Sequence, residues 1–166
     1  ECGSGGFWLM FEDLRDLYQE VILDHGKNPR NCHPLDGASH MAHGNNPMCG
    51  DTLDVFLKVD DAGKIADVSF FGRGCAISVA SASMMTEILR GKTIAEAQKL
   101  SDDFQSMCTK DDFDFEGAAG ELDEDAVERL QMLSGVKEFP VRVKCATLAW
   151  HTMTAAVVDG GEVTTE

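Results

Sequence analysis

Two neighbouring runs in the first half of the chain constrain the fold most strongly. Residues 53–59 alternate between apolar and polar side chains, and residues 65–71 form a second largely apolar run. The turn-forming segment 60–63 separates the two runs, which is typical of antiparallel strands joined by a short loop. Residues 38–45 could add a third strand. The pattern predicts a small three-stranded antiparallel sheet.

Segments whose apolar residues have helical spacing precede and follow the predicted strands in the chain. The first predicted helix, 11–25, ends at Gly26 before the turn signal Asn28-Pro29. Later segments predict a helix from residue 76 to the stop at Gly91, a short helix over 93–100, a solvated loop over 111–120, a helix over 122–133 and a long helix from Pro140 to residue 158. The order helix, strands, helices predicts an α+β domain whose helices pack on one side of the sheet.

The length of 166 residues favours a single domain with its own core. We expect residues 1–9, which are Gly-rich, to be an expression remnant or a disordered leader. Residues 10–160 would form the domain, with an acidic insertion at about 101–123, and residues 161–166 a disordered tail. Segment 101–128 holds 11 acidic residues and one basic residue. Its simplest interpretation is a solvated face.

The formal net charge of −15 excludes some classes of partner. Nucleic-acid binding depends on Lys and Arg neutralising phosphates, so neither nucleic acid nor an anionic membrane surface is an expected partner. We expect no signal peptide, and no apolar run in the sequence reaches the roughly 18 residues that span a membrane. We therefore expect a cytoplasmic, reducing setting, which favours metal binding or catalysis over disulfides for the six cysteines.

Three cysteines lie at the ends of predicted elements. Cys49 sits in a turn between Pro47 and Gly50, Cys75 lies where a strand meets a helix, and Cys145 lies in the second turn of the last helix. Three thiolates with the carboxylate of Asp51 would complete a four-ligand site for a soft or borderline metal. Spacing alone does not establish this site, since it matches no CxxC pair.

Simpler interpretations remain open for several of these residues. Asp51 could instead cap a turn. Cys32 and Cys108 are interpreted as small buried apolar residues, and Cys2 as incidental. The histidines in and near the first loop are interpreted as surface residues: His25, His33, His40 and His43.

Three segments together resemble the signatures of the IscU/NifU N-terminal family. They are Asn46-Pro47-Met48-Cys49-Gly50-Asp51, Gly72-Arg73-Gly74-Cys75-Ala76-Ile77-Ser78 and Arg142-Val143-Lys144-Cys145-Ala146-Thr147-Leu148-Ala149-Trp150. The resemblance extends over about residues 14–158. It implies an IscU/NifU-like α+β domain in which Cys49, Asp51, Cys75 and Cys145 hold a metal or an iron–sulfur cluster.

Two departures indicate the SufU branch of this family. Lys144 stands where housekeeping IscU scaffolds have a His, and the acidic insertion lengthens the stretch before the third cysteine. Members of the SufU branch bind Zn²⁺ through these four ligands, accept persulfide sulfur from a SufS-like cysteine desulfurase and supply the SufBCD assembly complex. The resemblance thus implies a zinc-dependent sulfurtransferase.

Under this hypothesis, Cys49 is the sulfur acceptor, since a turn beside Gly50 can move at low cost, and Cys145 is the second choice. Arg142 would contact the partner or guide Cys49. Two other functions remain open: a scaffold that assembles a transient [2Fe–2S] cluster on the same ligands and passes it to apo-proteins, and a purely structural zinc site.

Overall fold

The computed structural model describes residues 3–4, 20–120, 122–158 and 161–164. The strands are β1 (Gly3–Ser4), β2 (His40–Asn46), β3 (Asp51–Val59), β4 (Ile65–Gly74) and β5 (Gly161–Thr164). The helices are α1 (Glu20–Lys27), α2 (Ala76–Leu89), α3 (Ile94–Thr109), α4 (Phe115–Ala118), α5 (Glu124–Gln131) and α6 (Pro140–Val158), with a 3-10 helix at Met132–Glu138 between the last two.

The predicted three-stranded antiparallel sheet forms the centre of the domain. Strand β3 pairs antiparallel with β2 on one side and with β4 on the other. The short strands β1 and β5 add parallel to β4 and β2, which gives the order β1-β4-β3-β2-β5. The hairpin connecting β2 and β3 therefore lies at one end of the sheet, and the β4–α2 junction lies at the same end.

Buried and half-buried residues alternate along β3, which gives the sheet one buried face. Asp51, Leu53, Val55 and Leu57 are buried, whereas the residues between them are half-buried. Helices α2 and α6 pack against this sheet and against each other, while α3 packs on α6. The Phe104 and Trp150 rings stack with centroids 4.8 Å apart and join α3 to α6. The α+β architecture with helices on one side of the sheet is confirmed.

Local signals account for the helix ends. The Thr93 side chain and Glu96 form a capping box at the start of α3. Pro140 is the first residue of α6, a position where its missing N–H costs nothing. Gly91, at φ +90°, follows α2, in a conformation that favours glycine.

The acidic segment contains more structure than the sequence analysis predicts. Helix α3 continues to Thr109 rather than ending near residue 100, because Phe104, Met107 and Cys108 are buried on its inner face. The predicted loop over 111–120 contains α4, whose Phe115 is also buried. Buried aromatic side chains thus anchor a segment whose charge alone favours a loop.

The predicted leader and tail are only partly described. Residues 3–4 and 161–164, expected to be disordered, instead form the edge strands β1 and β5 because they pair with free edges of the sheet. The remaining leader and tail residues lie outside the described part of the chain, as do residues 11–19 of the first predicted helix. The division into leader, domain and tail stays a prediction.

Burial corrects the interpretation of two residues near the first loop. His25 is buried, not on the surface, because α1 packs on α2, where the His25 Nδ1 atom lies 2.7 Å from Ser83 Oγ. Cys32 is half-buried and disulfide-bonded, contrary to the expectation that the cysteines favour metal binding or catalysis over disulfides. Cys108 is fully buried as expected. Within the described residues, no helix combines the length and the hydropathy needed to cross a membrane.

Candidate metal centre

The turn between β2 and β3 positions Cys49 and Asp51. Asn46 and Asp51 form the last cross-strand pair, and the Cys49 amide donates to the Asn46 carbonyl at 3.3 Å. Gly50 then adopts φ +71°, which returns the chain to β3. This reversal at Gly50 brings the Cys49 thiol and the Asp51 carboxylate together.

The β4–α2 junction contributes Cys75 and a glycine that accommodates Asp51. Cys75 is the N-cap residue of α2, and its backbone amide donates to Asp51 Oδ1 at 2.9 Å. A Cβ atom on Gly74 would lie 2.6 Å from the same oxygen. A glycine is therefore needed beside the carboxylate.

Helix α6 contributes Cys145 and Arg142, one turn apart. The Cys145 Sγ atom lies 3.1 Å from Cys49 Sγ, and the Arg142 Nη1 atom lies 3.7 Å from Cys49 Sγ and 4.0 Å from Cys145 Sγ. Cys145 is buried, whereas Cys49 is half-buried. The thiol on the turn is thus the more accessible of the two.

The geometry fits a metal ion at this position. One ligand atom from each of Cys49, Asp51 and Cys145 lies within 4.8 Å of the others. Two sulfurs bound to one tetrahedral zinc lie about 3.8 Å apart, so the 3.1 Å separation of Cys49 and Cys145 needs only a small side-chain adjustment. Thiolate and carboxylate donors suit zinc and also iron–sulfur chemistry.

Cys75 lies at the same site but outside that set of three. Its amide contact with Asp51 and its thiol contact with Cys145 place it beside the other predicted ligands. The structure therefore brings all four predicted residues to one end of the sheet. Their role as a four-ligand set stays a prediction.

The two neighbouring thiols Cys75 and Cys145 have pKa values that move in opposite directions. The hydrogen bond from Cys145 lowers the pKa of Cys75, with the Ser78 amide and Arg142 as smaller contributions. The same hydrogen bond and burial raise the pKa of Cys145. With no metal bound, the hydrogen bond with Cys75 and burial therefore favour the neutral thiol at Cys145.

Asn46 is a site residue that the sequence analysis does not single out. Its side-chain amide is fully buried and donates to Asp51 Oδ2 at 3.1 Å and to Cys145 Sγ at 3.4 Å. One signal could have revealed it: in β2 the inward positions are Ala42, Gly44 and Asn46. An amide at a core position of a strand needs polar partners.

The chain matches one family model over more than half of its length. The model, described as NifU-like N terminal domain, covers residues 17–111 of the 166 residues. The chain belongs to this family. The matched range includes Cys49, Asp51 and Cys75 of the NifU-like domain, while Cys145 follows it on α6.

Two relatives cover most of this NifU-like domain. The zinc-dependent sulfurtransferase SufU of Bacillus subtilis is 41% identical over 151 residues, or 90% of this chain and 96% of the relative. The iron–sulfur cluster assembly scaffold protein IscU of Streptococcus pyogenes is 40% identical over 149 residues, or 90% of this chain and 87% of the relative. The family thus includes proteins named for sulfur transfer and proteins named for cluster assembly.

Solved structures show the same fold. A putative iron–sulfur cluster assembly scaffold protein for the SUF system from Fervidobacterium islandicum superposes with a TM-score of 0.73 at 34% identity, covering 85% of this chain and 96% of the other. A NifU-like protein from Brucella abortus gives a TM-score of 0.73 at 22% identity, covering 87% and 94%, and supports the fold alone.

Proposed function

We propose that this NifU-like domain is a zinc-dependent sulfur carrier for iron–sulfur cluster assembly. It accepts persulfide sulfur from a SufS-like cysteine desulfurase and delivers it to the SufBCD assembly complex in the cytoplasm. The similarity to the relative named zinc-dependent sulfurtransferase supports the activity. Three thiols gathered at one end of the sheet supply the chemistry.

The observation that carries the proposal is the unequal exposure of the thiols. Cys49 is half-buried on a turn, whereas Cys145 and Asp51 are fully buried beside it. A sulfur acceptor must reach a cysteine on another protein. Cys75 is also half-buried, but it is the N-cap residue of α2, whereas Cys49 lies on a turn and meets this requirement best. Cys145, the second choice from the sequence, is buried and would first have to become exposed.

Cys49, Asp51, Cys75 and Cys145 would hold the zinc. Bound zinc would keep the thiols deprotonated and protect them from oxidation. Their own contacts already draw the four residues together, because the Cys75 amide binds Asp51 and Cys145 contacts Cys49. The protein therefore brings this donor set together through its own hydrogen bonds.

The sulfur-transfer step is an exchange between thiol and persulfide. The Cys49 thiolate attacks the terminal sulfur of the desulfurase persulfide and forms a new S–S bond. The S–S bond of the partner breaks, and its cysteine leaves as a thiolate. Cys49 then carries the persulfide. The step needs no external oxidant or reductant, because one S–S bond replaces another.

Arg142 assists Cys49 in this proposal. Its guanidinium lies 3.7 Å from the Cys49 sulfur, close enough to stabilise negative charge there. A charge at this position would favour the attacking thiolate and then the persulfide anion. The same side chain could also contact the desulfurase when the two proteins dock.

Elemental analysis and a desulfurase assay on the same sample test the proposal. We expect about one zinc per chain and faster alanine formation from cysteine by a SufS-like desulfurase. Cys49→Ala should abolish the stimulation, whereas Cys108→Ala, at a buried position on α3 away from the metal centre, should retain it. Full stimulation by the Cys49→Ala protein would sink the proposal.

A scaffold for a [2Fe–2S] cluster is the second candidate, because the relative from Streptococcus pyogenes is named a cluster assembly scaffold. The same thiolate and carboxylate donors can bind such a cluster as cargo. Anaerobic incubation with iron and sulfide distinguishes the two functions. A stable chromophore that passes to an apo-ferredoxin, together with little desulfurase stimulation, would favour the scaffold.

A further inference from the structure

Asn46 contacts three parts of the metal centre from one position. Its backbone carbonyl accepts the Cys49 amide at 3.3 Å, and it pairs with Asp51 across the hairpin. Its side-chain nitrogen donates to Asp51 Oδ2 at 3.1 Å and to Cys145 Sγ at 3.4 Å. A side-chain amide has two N–H donors, so both are engaged with predicted metal ligands.

The orientation of this amide follows from its neighbours. If the amide were flipped, its oxygen would face the Asp51 carboxylate, and the two acceptors would repel each other. In the observed orientation the Asn46 oxygen is instead buried without a hydrogen-bond partner, one of three such side-chain atoms in the described part of the chain. A buried acceptor without a partner costs stability. This orientation therefore directs both donors at the predicted ligands and leaves the Asn46 oxygen unpaired.

Asn46 also completes the hydrogen bonding of Asp51. The Cys75 amide binds Asp51 Oδ1, and Asn46 binds Asp51 Oδ2, so each oxygen of the carboxylate has one donor. These two donors fix the rotation of a carboxylate that is fully buried. The second donor of Asn46 fixes the position of the Cys145 sulfur relative to Asp51.

We propose that Asn46 is a positioning residue that holds Asp51 and Cys145 in the arrangement needed to bind one metal ion. It acts through these two ligands and is not a ligand itself. The inference rests on the metal-binding part of the proposed function. It does not depend on the identity of the desulfurase or on sulfur transfer.

Zinc affinity of the purified protein, measured by competition with a chromophoric chelator, tests this role. Asn46→Leu keeps a similar volume and removes both donors. We expect it to weaken zinc binding by roughly 10- to 100-fold, the range found for residues that orient metal ligands. Asn45→Leu is the matched control, since Asn45 is the adjacent residue on the opposite face of β2. It should leave the affinity unchanged.

A double-mutant cycle separates positioning from a general structural effect. In an Asp51→Ala background, Asn46→Leu should cost much less zinc affinity, because one of its two targets is gone. A general structural effect of Asn46→Leu predicts instead that the fold losses of zinc affinity from the two substitutions multiply. Losses that multiply in this way would overturn the proposal.

Cobalt substitution gives a readout that stability does not affect. The ligand-field absorption of bound Co²⁺ depends on ligand geometry, so Asn46→Leu should shift these bands and Asn45→Leu should not. An Asn46→Leu protein with wild-type affinity and spectrum would overturn the proposal. If that variant does not fold, Asn46→Ser provides the test, because a hydroxyl remains beside Asp51 but reaches less far than the amide.

The Asn46→Ser variant should fold and bind zinc more weakly than wild type. Wild-type affinity in folded Asn46→Ser would likewise overturn the proposal. A wild-type protein that binds zinc but does not stimulate a desulfurase would contradict the proposed function and leave this inference testable. A wild-type protein that binds neither zinc nor cobalt would contradict both.

Discussion

The sulfur atoms of Cys49 and Cys145 are 3.1 Å apart although the residues are 96 positions apart in the chain. One lies in the hairpin turn that precedes β3, and the other lies in the second turn of α6. Their contact forms because α6 packs along β2 and β3 and begins beside the hairpin. The metal centre is thus assembled only when the last helix has packed on the sheet.

Gly74→Ala should weaken zinc binding. A Cβ atom at this position would lie 2.6 Å from Asp51 Oδ1, so the carboxylate would have to move. We expect a loss of roughly tenfold in zinc affinity, measured by chelator competition. Gly120→Ala is the control, because its Cβ atom would meet nothing closer than the Gly117 carbonyl at 3.6 Å. Unchanged affinity in Gly74→Ala would show that Asp51 is not held as described.

Met48→Glu should reduce stimulation of the desulfurase without changing zinc affinity. Met48 is 63% exposed next to Cys49, so a docking partner would meet it. Met41 is 47% exposed on the same strand–turn unit but five residues before Asn46, about 16 Å along β2. Met41→Glu is therefore the matched control. Equal losses of stimulation in the two variants would argue against docking at the hairpin turn.

The sheet could be predicted from its apolar alternation and the turn between its strands, and the long helices from their end signals, Gly91 after α2 and Pro140 at the start of α6. Residues 53–59 and the start of α6 at Pro140 agree with the structure closely. The continuation of α3 to Thr109 could not be predicted in this way, since its acidic residues hide the buried positions of Phe104 and Met107. In that segment, tertiary packing outweighs local charge.

The site shows a similar division between local and long-range information. The sequence indicated Cys49, Asp51, Cys75 and Cys145 through their turn and helix-end settings and through family signatures. It did not indicate the contacts of Asn46 or the raised pKa of Cys145. Both depend on residues that are distant in sequence and adjacent only after folding.

His25 should make stability depend on pH. Burial lowers its pKa to about 4, and the Arg30 charge adds to this effect. The Asp24 carboxylate favours the charged ring, but burial outweighs it. Glu87 Oε1 also faces the ring, 3.7 Å from His25 Nε2. The folded protein therefore keeps His25 neutral at pH values where the unfolded chain, with a pKa near 6.5, already binds a proton.

Because the His25 pKa is lower in the folded protein than in the unfolded chain, the free energy of unfolding is unaffected by His25 above about pH 6.5 and decreases progressively as the pH falls toward about 4. By about pH 5, the loss from His25 alone should reach about 2 kcal/mol. Urea unfolding at several pH values measures it. A His25→Gln variant should show a flatter profile in this range, whereas His33→Gln, at an exposed position, should follow the wild type. Identical profiles for wild type and His25→Gln would contradict the assignment.

Zinc removal should lower the melting temperature but leave the domain folded. The buried core continues well beyond the metal centre, through the sheet and helices α2, α3 and α6. Ligand loss removes only the binding free energy coupled to folding. Circular dichroism and calorimetry, before and after chelation, provide the measurement. Complete unfolding on chelation would instead support a purely structural zinc site.

Strand β5 runs parallel to β2, from Gly161 opposite Ala42 to Thr164 opposite Asn45. It is therefore directed toward the end of the sheet that carries Cys49 and Asp51. An affinity tag fused after this strand would begin close to the metal centre. A polyhistidine tag there would offer imidazole ligands that compete for zinc, so metal content and affinity should be measured on protein from which such a tag has been removed.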